Sequence, residues 1–270
     1  MKLGTDRETA IFEHRTIKRI RGLTSSVEAD PVIKEVPLTI MLNDEEFATL
    51  VCSPGFEREL VVGFLAGEGL LKEPSDIRDY FFRETQGVVW IETHTKTPTE
   101  GFLSRNFASC CGKGRPSLYY VNDASQVEPV EGNPVYTADS VLELVRLLEE
   151  SSHSFRLTGG VHSAALSAGE TVLAVYEDIG RHNALDRIMG YVFLNSVDTS
   201  NMAIVLSGRI SSEILIKAAR MRVPVVISKN APTALAIDLA DELGITVVGF
   251  ARGNGINVYS HEGRISHLTT

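Results

Sequence analysis

"MAIVLSGRISSEILIKAARMRVPVVISKNAPTALAIDLADELGITVVGFARGNG", residues 202–255, alternates two kinds of segment, and this alternation decides the fold class. The runs MAIVLS (202–207), PVVIS (224–228) and ITVVGF (245–250) are short, apolar and β-branched, as strands are. Between them, SSEILIKAARMR (211–222) and PTALAIDLADELG (232–244) are amphipathic stretches of helical length. Just upstream, TVLAVY (171–176) and NALDRIMGYVFLN (183–195) repeat the pattern once more. Strands alternating with helices predict an α/β domain with a mostly parallel sheet covered on both faces.

Working outward, TADSVLELVRLLEESS (137–152) places Val141, Leu144, Val145 and Leu148 at i, i+3, i+4, i+7 spacing, with Thr137 or Asp139 available to cap the helix. The segment before it, residues 121–140, scatters Asn, Asp, Pro and Gly without periodicity and reads as a linker. The earlier part reads as strand (37–43), strand (47–53), helix (54–71) and a further strand (87–93). We therefore expect a smaller N-terminal α+β domain over residues 1–125 and a larger α/β domain over 135–270. The basic run HRTIKRIRG (14–22) reads as a solvated arm.

The chain has 270 residues, 43% of them hydrophobic and 23% charged, with a net charge of -9 and a pI near 5.3. An acidic chain is a poor phosphate-tracking surface, so DNA and RNA are not expected partners. No apolar run is long enough to span a membrane, and the N-terminus lacks the apolar core of a secretory signal. With three cysteines and no framework spacing, a cytoplasmic address with free thiols is the expectation.

In open α/β sheets, ligands bind beyond the carboxyl ends of the strands. Here four successive strand ends each carry a cation: EDIGRHN with Arg181, SGRISSE with Arg209, SKNAPT with Lys229 and FARGNG with Arg252. Singly, each is explained by solvent or by a neighbouring acid such as Glu213. Together, in a chain of this net charge, they predict an anion site suited to a nucleotide or pyrophosphate. Ser211 or Ser212 and Thr233 stand at helix N-cap positions beside them. Glu177 and Asp178 can accept hydrogen bonds from a base or balance Arg181. His162, in TGGVHSAAL (158–166), is not followed by the Glu and Cys-x-x-Cys that a zinc deaminase needs, so no metal site is expected. That histidine is either a hydrogen-bonded structural group or a contact for the ligand.

The stretch SCCGKGR (109–115) pairs Cys110 with Cys111 ahead of Lys113 and Arg115. Nearby cations favour the thiolate, and Gly112 and Gly114 mark a mobile loop, so these are the candidate nucleophiles. Cys52, inside an apolar run, reads as a buried small hydrophobe.

SCCGKGR, TGGVHSAAL, YEDIGRHNALDRIMG and the run from residue 207 to 260 together resemble the FdhD family of sulfur carriers needed for formate dehydrogenase activity. The resemblance implies a sulfurtransferase that takes sulfur from a cysteine desulfurase as a cysteine persulfide. It would pass that sulfur to the bis(molybdopterin guanine dinucleotide) form of the molybdenum cofactor, or its tungsten analogue, for insertion into the formate dehydrogenase catalytic subunit. It also implies a cytidine deaminase-like three-layer main domain. Cys111 matches the second cysteine of the family's Cys-x-x-Cys loop, while Ala108 stands at the first. Either Cys110 substitutes for it or one cysteine suffices. Phe250, Ala251, Arg252, Gly253, Asn254 and Gly255 resemble the family's cofactor-binding stretch. A cofactor with two guanine nucleotides also suggests a homodimer. The rival reading is a chaperone that binds the cofactor without transferring sulfur.

Overall fold

A computed structural model of the chain describes residues 11–95 and 127–266. A six-stranded sheet forms its centre, in the order β13-β12-β11-β10-β8-β9. These strands are β8 (His162–Ala168), β9 (Thr171–Asp178), β10 (Met202–Leu206), β11 (Val225–Ser228), β12 (Thr246–Arg252) and β13 (Gly255–Ser260). Only β10–β11 and β11–β12 are parallel; the β8–β9, β8–β10 and β12–β13 pairings are antiparallel. The sheet is therefore mixed, which corrects the expected mostly parallel one. The difference comes from β8 and β13. HSAALSA has no β-branched residue and GINVYS begins with a glycine, so neither advertises a strand.

Period-two alternation divides the central strands between two cores. Ala165, Val205, Val225, Ile227 and Val248 face helix α2 (Ala138–Ser151) and meet its Val141, Leu144, Val145 and Leu148. Ala164, Leu166, Ile204, Leu206 and Val226 face the other way, into the core shared with α4 (Arg181–Leu194), α5 (Ser212–Arg220) and α6 (Ala234–Leu243). A short helix α3 (His153–Thr158) follows α2, and β7 (Tyr136–Thr137) pairs with β14 (Ile265–Ser266). Thr137 caps α2 in a reciprocal box, accepting from the Ser140 amide at 3.0 Å while the Ser140 hydroxyl accepts from the Thr137 amide at 2.9 Å.

The first part of the chain forms a second sheet, ordered β4-β3-β6-β5, from β3 (Val36–Leu42), β4 (Glu45–Cys52), β5 (Ile77–Arg83) and β6 (Val88–Thr93). Helix α1 (Glu57–Gly67) lies beside it, and Leu38, Ile40, Leu60 and Leu65 join the same hydrophobic core as α4 and α5. The packing between the two parts is thus continuous. Its closest point is glycine against backbone: a Cβ on Gly63 would overlap the Asp186 carbonyl oxygen, and one on Gly190 would overlap that of Glu59. Two helices can touch this closely only where side chains are absent.

The basic run read as a solvated arm is exposed, and it is also a strand. β1 (Phe12–Arg21) and β2 (Thr24–Ile33) pair over ten rungs as a two-stranded hairpin.

Candidate functional site

β9, β10, β11 and β12 run in one direction, since β9 and β10 are each antiparallel to the β8 between them. All four cation-bearing loops therefore leave the same edge of the sheet, joined there by the start of β8 at His162. From β12 to β9 is four strand steps, about 19 Å at the usual spacing.

Side chains and amides tie the loops after β10, β11 and β12 to one another and to the start of β8. The Ser228 hydroxyl donates to the Gly208 carbonyl at 2.6 Å, and the Asn230 amide group donates to the Ser207 carbonyl at 2.6 Å. The Ser163 amide donates to the Ser207 hydroxyl at 2.8 Å, and the Phe250 amide donates to the Asn230 carbonyl at 3.2 Å. Phe250 has φ of 51° at an irregularity in the β12–β13 ladder, a left-handed conformation that a bulky residue rarely adopts. Such strain persists only where the surroundings impose it. Its ring lies 5.4 Å from the Arg252 guanidinium carbon. Phe250, Ala251 and Arg252 belong to β12, and Gly253 and Asn254 make the turn into β13 at Gly255.

The four cations differ in what they already hold. Arg209 and Arg252 are exposed and form no ion pair among the described residues. Lys229 lies 2.5 Å from Glu149 of α2, a half-exposed pair. Such pairs contribute only about 0–1 kcal/mol, so an incoming anion displaces this one at little cost. Arg181 starts α4, beside Gly208, where a Cβ would lie 3.2 Å from that of Arg181 and 3.4 Å from His162 Nδ1. The missing side chain at Gly208 makes room for the arginine and the histidine together. Burial, and then the positive charges of Arg181 and His182, lower the His162 pKa below its ordinary 6.5, so the ring is neutral at pH 7. His182 Nε2 is 3.1 Å from Glu213.

N-caps lie at Ser211 and Thr233. The Thr233 hydroxyl accepts from the Ala236 amide at 3.3 Å, whereas the Ser211 hydroxyl caps nothing and is buried without a partner. The Arg181 Nε is unpartnered in the same way. Unmet buried donors at a cationic rim suit an anion. Among the described residues, no group of three His, Cys, Asp or Glu side chains is placed to hold a metal ion.

Glu177 and Asp178, read as acceptors for a base or as counter-charges to Arg181, are engaged elsewhere. Glu177 accepts from the Ser154 and Phe155 amides at 2.9 Å each, closing the start of α3. Asp178 is wholly buried, 2.5 Å from the equally buried Arg187. The Asp178 carboxylate also accepts from the Ser53 amide at 3.1 Å and from Asn183 at 2.9 Å. Arg187 in turn donates to the Ser53 carbonyl at 2.6 Å and to the Gly55 carbonyl. This buried rivet fastens the β4–α1 connection to the rim loop that carries Arg181. Its sequence signal was the interruption of an apolar helix by Asn183, Asp186 and Arg187, polar residues that no exposed face accounts for.

Cys52 is buried at the end of β4, and desolvation, reinforced by Asp178, pushes its thiol up to about 12. Cys110, Cys111, Lys113 and Arg115 lie outside the described residues.

A profile of the FdhD/NarQ family matches residues 33–266. The chain belongs to the FdhD/NarQ family. A relative named sulfur carrier protein FdhD, from Geobacillus kaustophilus, is 46% identical over 255 residues, covering 94% of this chain and 97% of the relative. One of the same name from Bacillus subtilis is 43% identical over 247 residues, covering 91% and 94% of the two chains. The crystal structure of a protein from Desulfotalea psychrophila, described as a formate dehydrogenase accessory protein, superposes with a TM-score of 0.78 at 25% identity, covering 95% of this chain and all of that one. The matched range, residues 33–266, includes every rim loop, the buried rivet and the cysteine pair.

Proposed function

We propose that the chain is a sulfur carrier in formate dehydrogenase maturation, acting as a sulfurtransferase through a cysteine persulfide. The Cys111 thiolate attacks the outer sulfur of a desulfurase persulfide; the donor's sulfur–sulfur bond breaks and the donor cysteine leaves as thiolate. Lys113 and Arg115, close in sequence, stabilise the anionic persulfide, and Cys110 is the alternative carrier. The Cys111 sulfur–sulfur bond then breaks, Cys111 leaves as thiolate, and the sulfane sulfur passes to the guanine-dinucleotide molybdenum or tungsten cofactor, the substrate rather than a resident group, whose reduced metal would supply the two electrons. The rim of Arg181, Arg209, Lys229 and Arg252, with Phe250 and the Gly253–Asn254–Gly255 turn, holds that cofactor's diphosphates and guanine.

One observation carries this reading: four cationic loops, three of them tied together by hydrogen bonds, leave a single sheet edge in a family whose relatives are named sulfur carriers. The helix–sheet–helix layering supports a cytidine deaminase-like arrangement for this part of the chain. A cytoplasmic site of action is part of the same reading, and no described helix is long and apolar enough to cross a membrane.

The test is mass spectrometry after incubation with a cysteine desulfurase and cysteine. The peptide bearing Cys111 should gain about 32 Da, reversibly by reductant. Cys111→Ala together with Cys110→Ala should abolish formate dehydrogenase maturation. If Cys111→Ala and Cys110→Ala together leave maturation intact while Arg252→Ala abolishes it, the chain is a cofactor chaperone instead.

A further inference from the structure

The four-stranded sheet has one covered face and one open face. Leu38, Ile40, Leu50, Val89 and Ile91, with Tyr80 and Phe82 beside them, join the core shared with α4 and α5. Met41, Phe81, Val88 and Trp90, on the opposite face of the same strands, join neither core. A sheet with one face in water alternates apolar and polar residues. Here β6 runs Val88, Val89, Trp90, Ile91 and β5 runs Tyr80, Phe81, Phe82, so both faces are apolar. Register sets Phe81, Trp90 and Met41 in one row across the open face, and Arg83, Val88 and Thr39 in another. Phe81 is 51% exposed, and Trp90, the chain's single tryptophan, is half-buried. Their ring centroids lie 5.7 Å apart. The Arg83 guanidinium carbon sits 5.6 Å from the Trp90 ring and 5.9 Å from the Phe81 ring. Arg83 donates to Gln86 at 3.1 Å and has no carboxylate partner among the described residues.

Tryptophan and arginine concentrate binding energy at protein interfaces, and an uncovered aromatic cluster marks a contact surface. We propose that this open face docks the protein that donates the persulfide. An apolar side chain of the donor seats on Phe81 and Trp90, and a carboxylate beside it answers Arg83. The inference rests on the sulfur-carrier reading above and names where that donor binds.

Two arguments select the donor as occupant. β6 ends at Thr93, and Cys110 lies fifteen positions after Thr95, a contour of at most about 50 Å. The thiols are therefore tethered to a strand of the docking face. The protein that receives the cofactor must instead meet the cationic rim on the six-stranded sheet. The open face points away from that sheet, since its reverse side builds the shared core. A donor seated there leaves the rim free.

Binding of a cysteine desulfurase to the immobilised full chain tests this, with sulfur on Cys110 and Cys111 followed in parallel by mass spectrometry. Phe81→Glu should weaken binding roughly tenfold and raise the desulfurase concentration that half-loads the cysteines by a similar factor. Circular dichroism and loading by inorganic polysulfide should not change. Should Phe81→Glu misfold, Arg83→Glu decides, with a severalfold loss expected. A wild type that does not bind the desulfurase, or folded variants that bind it as tightly as the wild type, overturns the docking proposal. Variants that keep the desulfurase but lose the formate dehydrogenase subunit, or a self-association seen by sedimentation, give the face to that occupant and overturn the donor. A desulfurase that binds the wild type and is lost by the variants, yet leaves no sulfur on either cysteine, upholds the docking face and overturns the sulfur-carrier reading.

Discussion

Two groups of charges share one edge of the six-stranded sheet and meet opposite fates. Asp178 and Arg187 are wholly buried and spend every polar atom on each other, on Asn183 and on the backbone of residues 53–55. Arg209 and Arg252 stand in solvent with their hydrogen-bonding capacity unused by the described residues. The difference teaches that charge near a ligand crevice has two meanings, and burial separates them. A buried pair holds the scaffold in register, since breaking it strands an ion in low dielectric. An exposed cation adds little to folding and remains available to an anion.

The comparison breaks most sharply at Arg187. Arg187→Met leaves Asp178 buried and unpaired and should lower stability by about 3–5 kcal/mol in urea titrations. A loss near zero would mean that the rivet is not the fastening between the two parts. Arg252→Ala should do the reverse. Unfolding should shift by no more than about 0.5 kcal/mol, while affinity for GDP in calorimetry should fall roughly tenfold, as loss of one charge-assisted contact requires.

A smaller effect lies between these extremes, at His162. Its pKa is lowered in the folded chain, so below about 6.5 the unfolded chain holds a proton that the folded one refuses. Stability should therefore fall as pH drops through that value, and His162→Asn should flatten the slope between about pH 7 and 5. The last expected effect is none at all. With its pKa near 12, Cys52 should resist iodoacetamide in the native chain at pH 7.5 and react only on unfolding. Rapid native labelling of Cys52 would show that β4 and the rivet beside it open readily.

Much of the architecture was legible because it depends on local periodicity. The strands at 202–207, 224–228 and 245–250 appear where β-branched runs predicted them, and Thr137 and Thr233 cap the helices they precede. β8 was not legible. Its small residues are selected by crowding between two covered faces, which no local pattern reveals. Without β8, β9 could not be recognised as an edge strand, and the sheet was expected to be mostly parallel. Glu177 and Asp178 were misread for a related reason. A carboxylate at a strand end looks the same in sequence whether it faces solvent, a helix start or a buried arginine.

By itself, the sequence determined the α/β class, the positions of the five longer helices, the cations after four strands and the family. These depend on side-chain type at fixed spacing along the chain. Only the tertiary structure decided that the four loops leave one edge, that Arg187 and not Arg181 answers Asp178, and that Gly63 meets the backbone of α4. Those facts depend on strand direction, join residues more than a hundred positions apart, or, for Asp178 and Arg187, rest on the distant Ser53–Gly55 backbone that buries both. Packing in three dimensions selects them, and no periodicity in one dimension encodes them.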